Sequence, residues 1–382
     1  MTMKHTRILM ICIALIIYMC NTSKAQTPSE TNTVQKSENK VIDKLKENVK
    51  IGGWIDFQYL FENNGTSKSN AFQIRRARFD VKGSLSPKID FRLQTDMSPS
   101  PKLIDAFVKV KFCKYVQLQA GQFKIPFSLE NILSPLDLET MDNAQVISAL
   151  SGYKDVTGIS SYANGREIGL MLSGTLASAD VKGENIPILQ YEAGVFGGNG
   201  INVKTDNMAK DFSARIKFCP FVNHLVLSAS AYIGRYDMQY QNVSIKTDGD
   251  RIRYAGGLQY SDDNLLVRSE YLYGKTDLAA LTDVENVYTH NTVKTQGVYI
   301  VAGYWFKFNW NDKNSTPQKI RPVLRAEFYE SDISKGTPAE YYSVGVDWWP
   351  EKHLRFQIDY VIRNQKQTPI KHVLATMLSV KF

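Results

Sequence analysis

The stretch Leu354-Arg355-Phe356-Gln357-Ile358-Asp359-Tyr360-Val361-Ile362-Arg363 decides the fold. Leu354, Phe356, Ile358, Tyr360 and Ile362 alternate with Arg355, Gln357, Asp359 and Arg363. Successive side chains of a strand point to opposite faces, so this segment has one apolar and one charged face. The same period recurs along the chain. Phe212, Ala214, Ile216 and Phe218 alternate with Asp211, Ser213, Arg215 and Lys217. Phe91 and Leu93 alternate with Asp90, Arg92, Gln94 and Asp96, and Ala77, Phe79 and Val81 alternate with Arg76, Arg78, Asp80 and Lys82. A soluble sandwich does not need so many charged faces. A transmembrane barrel with a wet lumen does, apolar outside and polar inside.

Sixteen such segments are expected, near 50–61, 71–84, 88–97, 103–112, 115–124, 165–174, 187–197, 210–219, 224–234, 250–260, 264–274, 295–306, 319–329, 340–349, 353–363 and 370–382. Connections after even-numbered strands are often short, whereas 125–164, 235–249 and 275–294 are long. Short periplasmic turns and long external loops are the pattern of outer-membrane barrels. The last strand alternates Leu374, Thr376, Leu378 and Val380 with Ala375, Met377 and Ser379 and ends the chain on aromatic Phe382. An even count returns that residue to the side on which the first strand began. Aromatics gather at strand ends, as in Tyr304-Trp305-Phe306, Tyr341-Tyr342 and Trp348-Trp349, and read as interfacial girdles.

The amino-terminus has the layout of an export signal: Lys4 and Arg7, the apolar run Ile8–Met19, and Ser23-Lys24-Ala25 at a cleavage site. Processing at Cys20 as a lipoprotein is the alternative. Residues 1–25 are thus a signal peptide, 26–49 a polar periplasmic arm, and 50–382 the barrel. No other run approaches the length of a membrane helix, and mean hydropathy is −0.27. If the chain spans a membrane, only a closed barrel satisfies its backbone there. The formal net charge is +8, of which Lys4, Arg7 and Lys24 fall in the expected signal peptide; the remaining +5 leans toward an anionic permeant. Cys113 and Cys219 fall on turns some four strands apart and are expected as free, partly buried thiols. No Cys/His cluster suggests a metal, no cofactor is implied, and GxSxG, HExxH and a strand-borne GxGxxG are missing. Strand-alternating charge on an exported chain argues against nucleic acid as a partner.

The densest basic cluster is Arg75-Arg76-Ala77-Arg78, followed by Asp105-Ala106-Phe107-Val108 and then Gly121-Gln122-Phe123-Lys124-Ile125-Pro126-Phe127-Ser128. In this order the series resembles the phosphate-selective porin O and P family. Gly198-Asn199-Gly200, Lys210-Asp211 and Leu324-Arg325-Ala326-Glu327 are similar to later family landmarks. The resemblance covers roughly residues 50–382. It implies a sixteen-stranded antiparallel transmembrane β-barrel, all-β, with an infolded third external loop, assembled as a homotrimer in outer-membrane lipid. It also implies passive diffusion of small anions, with phosphate as a candidate, past basic lumen residues.

Period two places Arg76, Arg78, Lys82 and Arg92 on the charged face, and Lys124 where the fifth strand leaves for the long loop. Arg75 falls on the apolar face and either snorkels or is turned inward by a bulge. These six are the expected anion contacts, since rings of Arg and Lys line anion pores. Pairs such as Arg76 with Asp80 and Arg325 with Glu327 would instead brace the wall. The loop from Pro126 to Gly165 carries Glu130, Asp137, Glu139, Asp142 and Asp155 against Lys154, net −4. Loop acids facing wall bases across the pore would suit a weakly selective pore for mixed solutes or sugars. A structural or surface-recognition barrel without an open pore is the reading from another class.

Overall fold

The computed structural model describes residues 48–151, 155–158, 165–204, 210–220, 224–240, 243–281, 288–308 and 318–382. The expected signal peptide and all but the end of the expected arm lie outside the described residues. Sixteen passes follow in order: β1 Val49–Asn63, β2 Lys68–Ser86, β3 Ile89–Asp96, β4 Lys102–Lys111, β5 Gln117–Lys124, β6 Arg166–Val181, β7 Glu184–Phe196 and β8 Asp211–Phe218. Then come β9 Leu225–Tyr240, β10 Val243–Ser261, β11 Leu265–Leu281, β12, β13 Gln318–Glu330, β14 Ala339–Glu351, β15 Leu354–Gln365 and β16 Lys371–Lys381. β12 comprises Tyr288–Tyr304 and, past a break at Trp305, Phe306–Phe308, both of which pair with β13. One short helix, α1, spans Gln145–Ser151.

Each strand pairs antiparallel with its neighbour, and β1 closes the sheet on β16 in the register Trp54↔Lys381 to Asn63↔His372. Closure leaves no unpaired edge. The terminal aromatic takes part: Gly53 N–H donates to Phe382 O, and Phe382 N–H to Gly53 O, both at 3.1 Å. A Cβ on Gly53 would lie 2.8 Å from the Phe382 ring, so only glycine lets the ring lie there.

The faces are inverted relative to a soluble protein. Ile55, Phe57, Phe79, Leu93, Phe212, Ile216, Leu324 and Ile358 are exposed, whereas Asp56, Arg76, Arg78, Arg215, Arg325, Arg355 and Asp359 are buried. Apolar side chains facing out and charges facing in are what lipid outside and water inside demand.

Three expectations need correction. The stretches 235–249 and 275–294 are not long loops, because β9 runs to Tyr240, β10 starts at Val243, β11 runs to Leu281 and β12 starts at Tyr288. β6 and β7 extend beyond their expected spans and meet in a hairpin that turns at Lys182-Gly183, with φ of 54° and 82°. Positive φ at both central residues matches the right-handed twist of the flanking strands. The aromatic clusters do not lie wholly in a girdle, because neighbours alternate sides. Tyr304, Phe306 and Trp348 face out, while Arg321 lies over Trp305 at 4.4 Å and Arg355 over Trp349 at 5.7 Å. Cys113 and Cys219 are free thiols, and Cys113 is exposed rather than partly buried.

Candidate functional site

The connection from β5 to β6 packs against the inner wall. At its start, Lys124 donates from Nζ to the carbonyls of Asn131 and Leu133, both at 2.6 Å. Ser128 then takes a left-handed conformation, φ 67°. The turn it makes presents the N–H groups of Leu129 and Glu130, and the Ser128 hydroxyl, to the buried Glu270 carboxylate of β11 at 2.7–2.9 Å. Further along, Arg355 binds the Leu138 carbonyl at 2.7 Å, Asp359 accepts the Met141 N–H at 2.7 Å, and Glu327 accepts the Gln145 N–H at 2.7 Å.

Most of the segment's acids are consumed in this seating. Glu130 meets Arg325 at 3.2 Å and Arg268 at 3.4 Å, Glu139 pairs with Arg268, and Asp155 pairs with Arg253 at 2.6 Å. Burial opposes the charge on Glu130, but Arg325 and Arg268 outweigh it and hold its carboxyl below the ordinary range. The expectation that loop acids face wall bases across open space therefore fails for these three. They are buried ion pairs, and what they hold is the segment itself.

The wall under the segment is also not polar throughout. Lumen-facing Ala255, Leu272, Tyr299, Val301 and Val323 of β10–β13 form a core with Phe127, Ala144, Val146, Ile147 and Leu150 of the connection. Burying such side chains is worth roughly 1.5–3 kcal/mol for each large one. The segment is seated by apolar packing as well as charge.

Space remains on the other side. One cavity of about 360 Å³ borders β13–β16, β1–β4 and residues 140–148 of the connection. A second, of about 390 Å³, borders β1–β8 and residues 132–137. Arg78 lines both.

Five of the six expected contact residues line these spaces: Arg75, Arg76 and Arg78 the first, and Arg78, Arg92 and Lys124 the second. Lys82 borders neither and stands 3.9 Å from Asp80. Of the two expected wall pairs, Arg76 with Asp80 does not form. Arg76 binds Asp56 at 3.1 Å, and Arg92 forks onto Asp80 at 2.8 and 3.0 Å. Residues four apart on a strand are separated by about 13 Å, so Arg76 cannot reach Asp80; the in-register residue of the next strand can. Arg325 does pair with Glu327, at 2.9 Å. Arg78 binds Asp96 at 3.0 Å and lies 5.1 Å over the Trp54 ring.

Of the two routes open to Arg75, the bulge is the one taken. Pairing slips from Asp56↔Arg76 to Phe57↔Ile74, which leaves Arg75 extra and turns it inward to an ion pair with Asp142. Asp142 keeps 60% of its side-chain surface exposed, on the lining of the first cavity. Sequence reading did not nominate Arg166, Arg215, Lys102, Lys109 or Arg363, which also line the cavities. Arg215 and Arg363 stood on charged faces and were legible by parity.

A closed barrel, lipid-facing outside, charged inside and carrying a segment that borders two charge-lined cavities, is a membrane barrel of the porin class. A model of the phosphate-selective porin O and P family matches residues 48–382, and the chain belongs to that family. The family and fold point to the outer membrane of a Gram-negative bacterium. Solved structures share the fold at low identity. OmpF of Salmonella typhi, in complex with daunomycin, aligns with TM-score 0.60 and 14% identity over 88% of this chain and 98% of its own. The trimer form of OmpT from Vibrio cholerae gives 0.59 and 11% over 87% and 99%. An anion-selective porin from Comamonas acidovorans gives 0.57 and 11% over 87% and 99%. Comparison with curated proteins by sequence gives no match.

Proposed function

We propose that this porin is a passive channel for small anions, phosphate among them, whose path runs from one cavity to the other past Arg78. The observation that carries this reading is the position of Arg78 in the lining of both spaces. The second cavity adds the sign: six bases, Arg78, Arg92, Lys109, Lys124, Arg166 and Arg215, against three acids, Asp105, Asp137 and Glu192. Low-dielectric walls focus such an excess and raise the local anion concentration. In this reading Arg75, Arg76 and Arg92 tune the path, and the seated segment narrows it. Lys124 acts as a brace, because its ammonium is spent on two backbone carbonyls.

The working form is a homotrimer in outer-membrane lipid, with residues 1–25 removed on export and the rim bearing Phe382 facing the periplasm. The mechanism is diffusion, with no chemical step. A second reading, a weakly selective pore, draws on the first cavity, where six bases meet five acids.

Reversal potentials across a planar bilayer in a salt gradient separate the two. The wild type is expected to favour anions, and Arg78→Ala to lower its anion-to-cation permeability ratio roughly three- to tenfold, the effect of one charge in a confined pore. Cation preference in the wild type overturns the proposal. A near-unit ratio indifferent to Arg78→Ala establishes the weakly selective pore.

A further inference from the structure

We propose that the Asp142 carboxylate is an internal stand-in for the permeant, occupying a site in the lining of the first cavity that takes small carboxylate-bearing solutes. The inference rests on the anion-channel reading and deepens it. Three guanidinium groups of the cavity lining bear on it. Arg75 bonds the carboxylate directly, and Arg363 and Arg76 act on it through space. A carboxylate's two oxygens match the planar fork of a guanidinium, which makes this chemistry specific rather than merely electrostatic.

Asp142 differs from Glu130 and Glu139 of its segment in ways that fit a displaceable group. Glu130 and Glu139 expose 0% and 2% of their side chains, whereas Asp142 leaves 60% exposed. The backbone at this point does not depend on the side chain. The Asp142 carbonyl accepts from Arg325 at 3.0 Å and from the Thr140 hydroxyl at 2.9 Å, and the preceding N–H is held by Asp359. The carboxylate can therefore swing away while the segment stays seated. Arg363 is poised for a ligand as well. Its Nε is buried without a hydrogen-bond partner among the described residues, and its guanidinium lies 5.9 Å from the Tyr341 ring. The cavity, about 360 Å³, falls within the ~300–1,000 Å³ of small-molecule sites.

A solute carboxylate that enters exchanges one ion pair for another: Arg75 passes from Asp142 to the solute, and Asp142 turns to the open cavity. Such an exchange keeps residence short, as a pore requires.

The test is block of chloride current by succinate in planar bilayers, on the full-length protein and on Asp142→Asn, Asp142→Ala and Arg75→Gln. Without its internal competitor, each Asp142 variant is expected to show a half-blocking succinate concentration about tenfold lower than wild type. Arg75→Gln is expected to abolish the block. Unchanged or weaker block in both Asp142 variants overturns the proposal, as does stronger block by inorganic phosphate than by succinate in Asp142→Asn. Reversal potentials from the same recordings stay anion-directed in that event, so this failure is distinct from failure of the channel reading. If neither Asp142 variant inserts, Arg75→Gln decides: lost succinate block supports the site and retained block overturns it.

Discussion

Arg325→Met will unseat the segment between β5 and β6, with the largest change in conductance of any single substitution in the lumen. The guanidinium of Arg325 reaches Glu130 at 3.2 Å, Glu327 at 2.9 Å, the Thr140 hydroxyl at 2.6 Å and the Asp142 carbonyl at 3.0 Å, and lies 5.0 Å over the Tyr299 ring. The side chain is 2% exposed and its two carboxylate partners 0% and 7%. Methionine fills the volume but leaves Glu130 and Glu327 short of a buried cation, a loss of roughly 3–5 kcal/mol. The segment can recover much of that by lifting Glu130 into water. The expected result is a larger, noisier single-channel current and faster proteolytic cleavage near residues 130–145. Arg325→Lys keeps the charge without the fork and falls between the two. A quiet, unaltered channel in Arg325→Met would show that the apolar core alone seats the segment.

Acid does the same job more gradually. The folded-state value of Glu130 lies below the ordinary 4.5, so its contribution is fully present above 4.5 and is lost as pH falls through the lowered value. In Arg325→Met the main opposing cation is gone, burial dominates, and the loosening moves to higher pH. Conductance recorded as a function of pH in both proteins checks the direction.

The barrel was legible because its rule is local. Each strand declares its two faces by parity, and closure needs only an even count of passes. What defeated the sequence reading was contact between distant elements. β12 carries Val293, Gly297, Tyr299 and Val301 on its inner face and Val298 and Ile300 on its outer face, so it has no charged side to read. An inner face without charge implies that protein, rather than water, covers it. The identity of the cover lies more than a hundred residues upstream and leaves no mark on the strand. The segment's acids were visible as a net charge, but charge alone does not separate an acid facing a pore from one locked to Arg268 or Arg253. Arg75 was ambiguous for a related reason, since one extra residue in the ladder changes its face and nothing in the local pattern announces the slip.

The glycines of that covered wall make the same point testable. A Cβ at Gly297 would stand 2.7 Å from Val146 Cβ, 3.0 Å from its Cγ2 and 2.8 Å from the Phe328 carbonyl oxygen. Val146 is 1% exposed and β-branched, with Ile147 and Leu150 of α1 buried beside it, so it cannot rotate out of the way. Gly297 is not among the glycines with positive φ, so the objection to a larger residue is steric alone. Gly297→Val therefore collides with the helix on one side and with the β13 backbone at Phe328 on the other. Overpacking of this kind costs roughly 1–3 kcal/mol, and α1 is the softer partner because strand β12 is tied on both sides. The helix is expected to shift away from the wall, which narrows the space beside residues 145–148 and lowers single-channel conductance. Gly256→Val supplies the control: nothing lies within 4 Å of its added Cβ. That variant should conduct as wild type. Equal conductance in both variants would mean that α1 does not bear on the permeation path; a fall confined to Gly297→Val would tie the bore of the pore to a contact between a helix and a strand that lie far apart in the chain.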